Sequence, residues 1–410
     1  MAYRQRRRQI MLVYEMKLQG TESQYRSLDE AIRTGLFVRN SVIRAWLDGQ
    51  VKSRNDAYKH CKLLSDNPEF PWASRLNSMA RQAHAERAWA SIERFYRNCK
   101  QKTPGKKRCD LAALQAARGS APRKGFPKFK KYQVRASVEY KTSGWKLSGD
   151  RRYLTFTDKF QAGTFKLWGS RNLHFHQLEQ IKRVRVIRRH DGYYAQFLID
   201  HEREEKKELT GKQTGLDVGL NYFYTDCSGN QIDNPRFLRK DERKLKKLQR
   251  RLSRTQKGSQ NRKKARNKLG RAHLKVSRRR NDWVCKQAQH VIGSNDLVAV
   301  ENLRIRNMVK NHHLAKSISD AAWYRFREWL EYMARVYGVP VIAVEPAYTS
   351  QNCSNCGEKV VKTLSTRTHE CPHCGYIADR DENAARNILK SALKQLSNKE
   401  TDKKSINGLI

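Results

Sequence analysis

The chain has 410 residues and a mass of 48.0 kDa, room for roughly two to four domains. Its 85 Lys and Arg against 40 Asp and Glu leave a formal charge of +45, a self-repelling excess that nucleic acid would neutralise, and a hydrophobic content of 38% with 17 Tyr, 13 Phe and 8 Trp excludes a disordered basic tail. The longest apolar run near the N-terminus, Ile10–Tyr14, is too short for a signal-peptide core or a membrane span, so no membrane partner is expected and the localisation read is cytoplasmic.

Basic residues at 4–8 lead into a strand over Gln9–Leu18. Apolar Leu28, Ile32, Leu36, Val42 and Ile43 predict a helix from Glu22 to about Leu47, with Ser27 and Glu30 as its capping signature. A second long helix is predicted over Trp72–Asn98, just after Pro71, with Leu76, Met79, Ala83, Ala88, Ile92 and Phe95 on one face. Lys100–Lys131 is rich in Lys, Arg, Gly and Pro and reads as loop and turn. Short alternating segments at 137–140, 153–157, 164–168, 184–187 and 193–199 predict a β-barrel or sandwich. The position of the first strand ahead of the helices hints that the helical region is inserted into this β domain.

After a charged linker at 201–212, strands Thr214–Val218 and Tyr222–Asp226 are followed by residues 236–280, which hold 21 Lys or Arg and two acids. Leu245, Leu248 and Leu252 form a helical stripe, broken at Gly258-Ser259, and a second helix resumes through Ala265, Leu269, Val276, Trp283 and Val291. Strand Leu297–Val300, helix Ala322–Tyr337 and strand Val339–Val344 complete an alternation that predicts an α/β sheet.

Three acids stand out on that sheet. Asp217 lies inside the apolar strand Gly215–Leu220, Glu301 follows strand Leu297–Val300, and Asp381 opens the helical pattern after the last cysteines. Each has an ordinary alternative as a turn former or cap. Acids at strand ends and on a flanking helix can nevertheless converge, and phosphodiester hydrolysis uses such a set to hold two Mg²⁺ ions about 3.5–4 Å apart. Asp379 competes with Asp381 for the third position, and Asp320 reads better as a helix N-cap than as a fourth acid.

Four of the nine cysteines, Cys353, Cys356, Cys371 and Cys374, form two CxxCG knuckles separated by 14 residues, the spacing of a closed, structural Zn²⁺ site holding one ion. His369 and His373 are not expected to be ligands. The two basic helices predict phosphate-tracking surfaces, with Arg250, Arg251, Arg254, Lys257, Arg262, Lys263, Arg278 and Arg279 as candidate contacts. Lys124, Lys128, Lys130 and Lys131 are a further set, interleaved with Phe126 and Phe129, which read equally well as stacking rings or core anchors. His174 and His176 resemble the His pair of a nicking enzyme, but neither a third ligand nor a nucleophilic Tyr lies nearby, so the pairing is read as chance.

Gly215-Leu-Asp-Val-Gly, Val300-Glu-Asn-Leu, the two CxxCG knuckles and Asp379-Arg-Asp-Glu-Asn-Ala-Ala-Arg-Asn-Ile, in that order, resemble the signature of the TnpB family, as do Leu248–Arg262 and Met308–Asp320. The resemblance extends over 211–390; in 1–210 it rests on element order and Gly125-Phe-Pro-Lys-Phe-Lys. It implies a multidomain α/β plus β fold. The layout would be a first wedge β-barrel part at 1–20, an inserted helical recognition domain at 21–118, and the rest of the wedge at 119–210. An RNase H-like RuvC nuclease domain would follow at 211–348 with its basic helical segment at 236–292, then a zinc ribbon at 349–378, the RuvC end at 379–396 and a tail at 397–410. It also implies an RNA-guided, Mg²⁺-dependent DNA endonuclease with Asp217, Glu301 and Asp381 as catalytic metal ligands. Its partners would be a noncoding guide RNA from the transposon end and a double-stranded DNA target beside a short adjacent motif. The rival readings are a transposase or regulator that recognises DNA directly, and a structural RNA-binding protein.

Overall fold

The computed structural model describes residues 11–101, 125–133, 135–201, 203–363 and 366–407. The basic residues at 4–8, most of the 100–131 loop and Lys124 lie outside them. The chain divides into two compact units, 1–202 and 203–410, each taken by itself below.

In the first unit, β1 (Met11–Gln19) is followed by helices α1 (Glu22–Leu47), α2 (Arg54–Asp66), α3 (Pro71–Arg75) and α4 (Ser78–Lys100). Six strands then follow: β2 (Ser137–Tyr140), β3 (Trp145–Leu147), β4 (Tyr153–Phe156), β5 (Gly163–Trp168), β6 (Ile181–Arg189) and β7 (Gly192–Asp200). They form one antiparallel sheet in the order β2-β6-β7-β1-β5-β4-β3. The first strand is therefore central, paired with both β7 and β5, and all four helices interrupt the sheet between its first and second strands.

Laid flat, seven strands would separate the edges by about 29 Å. Tyr140 and Trp145, which end β2 and begin β3, are joined by a link that spans at most ~17 Å. The sheet therefore curls, and Tyr140 meets Phe156 with ring centroids 5.2 Å apart. No ladder between β2 and β3 closes it among the described residues, so the barrel expected from strand spacing is a curled sheet with two edges. Leu18, Tyr140, Leu154, Phe165, Val184 and Phe197 fill its interior beneath Leu28 and Ile32 of α1.

Local chemistry moves several predicted boundaries. The cap of α1 is Thr21, not Ser27. Thr21 Oγ1 accepts from Gln24 N at 3.3 Å, Gln24 Oε1 accepts from Thr21 N at 2.8 Å, and Gln24 Nε2 donates to Ala162 and Thr164 carbonyls. Ser27 sits inside the helix, where the backbone N–H groups are already bonded. The helix expected over Trp72–Asn98 is broken, because Asn77 accepts from Met79 N and Ala80 N to start α4 afresh while Leu76 turns into the sheet core. Helix α2, capped reciprocally by Ser53 and Asp56, and strand β3 were not foreseen. His174 lies in a 3₁₀ turn, not a strand, and bonds the Asp150 carbonyl; His176 packs between Tyr14 and His201.

In the second unit, β8 (Gln213–Asp217), β9 (Tyr222–Asp226), β10 (Gln231–Asp233), β11 (Leu297–Glu301) and β12 (Val341–Val344) form a sheet in the order β10-β9-β8-β11-β12, with β8, β11 and β12 parallel. Helices α5 (Phe237–Ser253) and α6 (Gln260–Ser294) make a hairpin with a small core of Leu245, Leu269 and Val276. Short α7 (Ile305–Met308), α8 (His312–Ala321) and α9 (Trp323–Tyr337) precede β12; hairpin β13 (Thr368–Glu370) and β14 (Ile377–Asp379) leads into α10 (Arg380–Asn407). Helix α10 runs through most of the segment expected as a tail at 397–410. Asp320 does act as a cap, but for another helix: its carboxylate accepts from Leu238 N and Arg239 N at the start of α5 and pairs with Arg280 of α6 at 2.7 Å.

Alternation along the central strands sorts the two faces. Leu216, Val298 and Val300 face the core built with Val284, Phe326 and Leu330, whereas Ala299 and Val344 pack with Ile388 and Ala392 of α10. On that second face Gly215 is in direct contact with α10: an added Cβ would lie 2.1 Å from the Ala385 carbonyl oxygen and 2.8 Å from Leu389 N. Gly215→Ala is expected to force the helix off the sheet and to destabilise the fold by about 1–3 kcal/mol, read as a lowered denaturation midpoint with an unchanged m-value.

Candidate active site and metal centre

The Gly215 contact dictates what meets what. Asp217 is two residues further along β8 on the same face, about 6.7 Å away, and Asp381 is one turn before Ala385 on α10, about 6 Å away. Both displacements bring their carboxylates to the same end of the sheet. In the parallel register Val300 pairs with Leu216, so Glu301 is the residue beside Asp217, also at a strand C-terminus and also facing α10. Ligands of open α/β sheets gather at this end of the strands.

The electrostatics match that convergence. The Asp217 carboxyl is held well above its ordinary pKa, first by burial and then by the charges of Glu301 and Asp381. Burial also raises Glu301, opposed by a 2.6 Å hydrogen bond from Thr349 Oγ1. Asp381 Oδ1 accepts from Arg380 at 2.7 and 2.9 Å, and its Oδ2 lies 3.5 Å from Arg367. The Asp217 carboxylate has no hydrogen bond or ion pair among the described residues, whereas its backbone lies in the β8–β9 ladder. Asp379 is different: its Oδ1 accepts from Asp381 N and Glu382 N at 2.8 and 3.3 Å, which makes it the N-cap of α10.

Sequence reading missed the residues that hold the acids in place. Thr349 is buried and binds Glu301, and its own carbonyl accepts from Asn387 Nδ2 at 2.9 Å. Asn383 is fully buried, accepting from Ser354 N and donating to the Asn352 carbonyl, both at 2.8 Å. The signal available was position: two asparagines one turn apart on α10, off the face that carries Asp381 and Ala385 and just after the knuckles.

The knuckles are near copies of each other. Cys353 N bonds the Glu358 carbonyl and Cys371 N that of Tyr376, while Gly357 N and Gly375 N return to Cys353 and Cys371 carbonyls at 2.9 Å. Both glycines have φ in the left-handed region, +87° and +70°, which closes each turn at little steric cost. All four Sγ atoms lie within 4.8 Å of one another, with Cys353–Cys374 at 3.7 Å and Cys356–Cys371 at 3.6 Å. A tetrahedral ion with sulfur at ~2.3 Å requires edges near 3.8 Å, so the cluster fits a metal ion. His369 is buried beside Lys362 and His373 is exposed; neither joins the group.

Of the basic candidates, Lys128, Lys130, Lys131, Arg250, Arg251, Arg254, Lys257, Lys263 and Arg278 are exposed. Arg262 and Arg279 have internal partners: Arg262 donates to the Leu252 and Thr255 carbonyls at the hairpin turn, and Arg279 pairs with Asp241 over the Phe237 ring. Phe126 is a core anchor, edge-on to Phe95 and against Trp46, whereas Phe129 is 52% exposed.

Residues 196–312 match the family model described as a probable transposase, OrfB of the IS605 type, and 323–388 match that of the Cas12f1-like TNB domain. Among solved structures, the protein of a Cas12f1–sgRNA–target DNA complex superposes with a TM-score of 0.51 at 13% identity, over 90% of this chain and 83% of that one. The fold class is thus that of the compact Cas12 effectors. A protein of Streptomyces pristinaespiralis provisionally named an RNA-guided DNA endonuclease is 35% identical over 67% of both chains, and InsQ of Escherichia coli K12, with the same provisional name, is 31% identical over 65% of this chain and 68% of its own. The chain belongs to the TnpB family. Among the described residues no helix is long and apolar enough to cross a membrane.

A raised Asp217 pKa means that the unfolded chain releases this proton first as pH rises, so its contribution to stability falls from about pH 4 upward. In metal-free buffer Asp217→Asn is expected to melt above the wild type at pH 7, with the difference closing near pH 4. A pH-independent difference would assign the effect to packing.

Proposed function

We propose that the chain is a transposon-encoded, RNA-guided DNA endonuclease that hydrolyses phosphodiester bonds once a guide RNA has paired with its target beside a short adjacent motif. The observation that carries this is Asp217, a half-buried carboxylate without a side-chain partner among the described residues, with Glu301 beside it at a strand end and Asp381 in the first turn of α10. The relatives' names, and the sgRNA and target DNA held by the Cas12f1 complex, support the guide RNA and DNA partners.

The three carboxylates supply hard oxygen ligands suited to Mg²⁺. Bound there, two such ions provide water activation and neutralisation of the phosphate charge. The chain's own residues set the arrangement: Thr349 fixes the Glu301 carboxylate, Arg380 and Arg367 hold Asp381, and the Asp379 cap orients the first turn of α10. In this reading the curled sheet is the wedge, helices α1–α4 are the recognition insertion, and the β8–β12 sheet with α10 is the RuvC-type nuclease. The four cysteines form a zinc ribbon whose single Zn²⁺ has no open position and is structural. The +45 charge and the exposed α5–α6 bases answer the phosphates of guide and target.

The test is to sequence RNA that co-purifies with the protein expressed from its own locus, then to assay plasmid cleavage with it. A discrete RNA whose replaced 3′ segment redirects Mg²⁺-dependent cutting is expected. Asp217→Ala should keep nucleic-acid binding and lose cleavage by roughly 10³-fold or more, the several kcal/mol that a bound dication contributes. RNA-independent cleavage with no discrete RNA would instead establish direct DNA recognition. Purified protein should also carry one zinc per chain by elemental analysis, lost together with cleavage in Cys353→Ser/Cys356→Ser.

A further inference from the structure

The first unit contains a cavity of about 540 Å³ between α1, α4 and residues 129–131, 133 and 135–137. Arg39, Arg87, Lys130, Lys131 and Arg135 line it, and no Asp or Glu does. Arg39 is only 5% exposed; it donates to the Lys128 carbonyl at 3.0 Å and to Asn40 Oδ1 at 3.3 Å. Arg87 donates to Ser137 Oγ at 3.3 Å. Neither has a carboxylate within ion-pair distance among the described residues. The nearby acid, Glu139, is already held by Arg183 at 2.7 Å and Arg185 at 2.5 Å. Buried cations are ordinarily paired, and here the cations repel one another: Arg39 is lowered to about 10 by burial and by Arg87, and Lys130 is lowered by burial, Arg39 and Arg87.

A second, independent feature sits in the same wall. His84 is fully buried, and neither ring nitrogen has a hydrogen-bond partner. Burial and the surrounding cations hold it neutral; its Nε2 edge is pressed against Gly35 of α1, so Nδ1 is the one ring nitrogen left to bond a ligand. Phe129, half-exposed, also lines the cavity. The inventory is a positive wall without counter-charge, a neutral edge-bonding group and an aromatic face, in a volume larger than a phosphate needs.

We propose that this cavity is a nucleotide pocket: Arg39, Arg87 and Lys131 take one phosphodiester of a nucleic-acid strand, and its unstacked base lies on Phe129 with an edge toward His84. Arginine forks suit phosphate oxygens, and base–aromatic stacking tolerates any sequence. The proposal rests on the reading that the chain handles nucleic acid, and it adds a particular site in the N-terminal unit. RNA and DNA share the chemistry, and the experiment separates them.

Binding of the full chain to single-stranded RNA, single-stranded DNA and duplex probes of one sequence is measured across a salt series. Arg87→Gln is expected to weaken binding about 10-fold and to reduce the slope of log K against log salt by about one. Phe129→Ala should weaken binding roughly 5-fold with the slope unchanged. The double variant should be less than additive, because both groups hold one nucleotide. Lys131→Gln, at an exposed position that cannot misfold the unit, repeats the slope test should Arg87→Gln be unstable. A loss confined to RNA probes assigns the pocket to the guide, and one confined to DNA assigns it to the target. Unchanged affinity and slope for Lys131→Gln, with unchanged affinity for Phe129→Ala, on all probes would overturn the pocket while leaving the endonuclease reading intact. If neither wild type nor Asp217→Ala bound any probe, the endonuclease reading would fall with it.

Discussion

Everything at the candidate active site depends on how closely α10 lies on β8. Backbone meets backbone at Gly215, with the Ala385 carbonyl where a side chain would be. A separation that small fixes both the height and the axial position of the helix. The three acids therefore need no contact among themselves to converge, since strand rise and helix rise carry them to the same end of the sheet. Their mutual repulsion is a cost, offset by the packing of Ala299, Val344, Ile388 and Ala392 beneath them.

The cysteine knuckles act on the same helix from outside. Asn383 and Asn387 reach from α10 to the backbone at Thr349, Asn352 and Ser354, and Lys390 adds a bond to the Ser354 carbonyl. Ser354 lies between Cys353 and Cys356, so a metal that orders the first knuckle also orders the carbonyls that anchor α10. Thr349 extends the chain of bonds to Glu301. The cysteine knuckles, α10 and Glu301 are thus joined by one chain of hydrogen bonds within the C-terminal unit, which gives the chain a physical reason to place the cysteines immediately before α10.

The elements legible in the sequence were those with a strong period or a specific chemical spacing. Helix α1 over Glu22–Leu47, the strands of the curled sheet other than β3, and the break at Gly258-Ser259 all followed from apolar recurrence and turn chemistry. The cysteine cluster followed from spacing alone. Failures arose where a polar side chain overruled the period: Asn77 restarting α4, and Thr21 displacing Ser27 because Gln24 also binds the Ala162 and Thr164 carbonyls. The exposed arginines of a basic helix cannot be told from internally bonded ones by composition, and Arg262 and Arg279 show why: their partners are a hairpin turn and an acid supplied by tertiary packing. Thr349, Asn383 and Asn387 were invisible for the same reason.

The central position of β1 has a consequence for synthesis. Leu12, Met16 and Leu18 reach their buried places only when β5 and β7 arrive, and Met11 pairs with Asp200 near the far end of the unit. At translation rates of about 5–20 residues per second, that strand waits on the order of ten to forty seconds for its neighbours. In the interval the ribosome delivers α1, α2 and α4, whose Val42, Ile43, Ala57, Ala88 and Ile92 make a core of their own. The nascent chain thus has a folded body beside the waiting strand before any of its sheet can form.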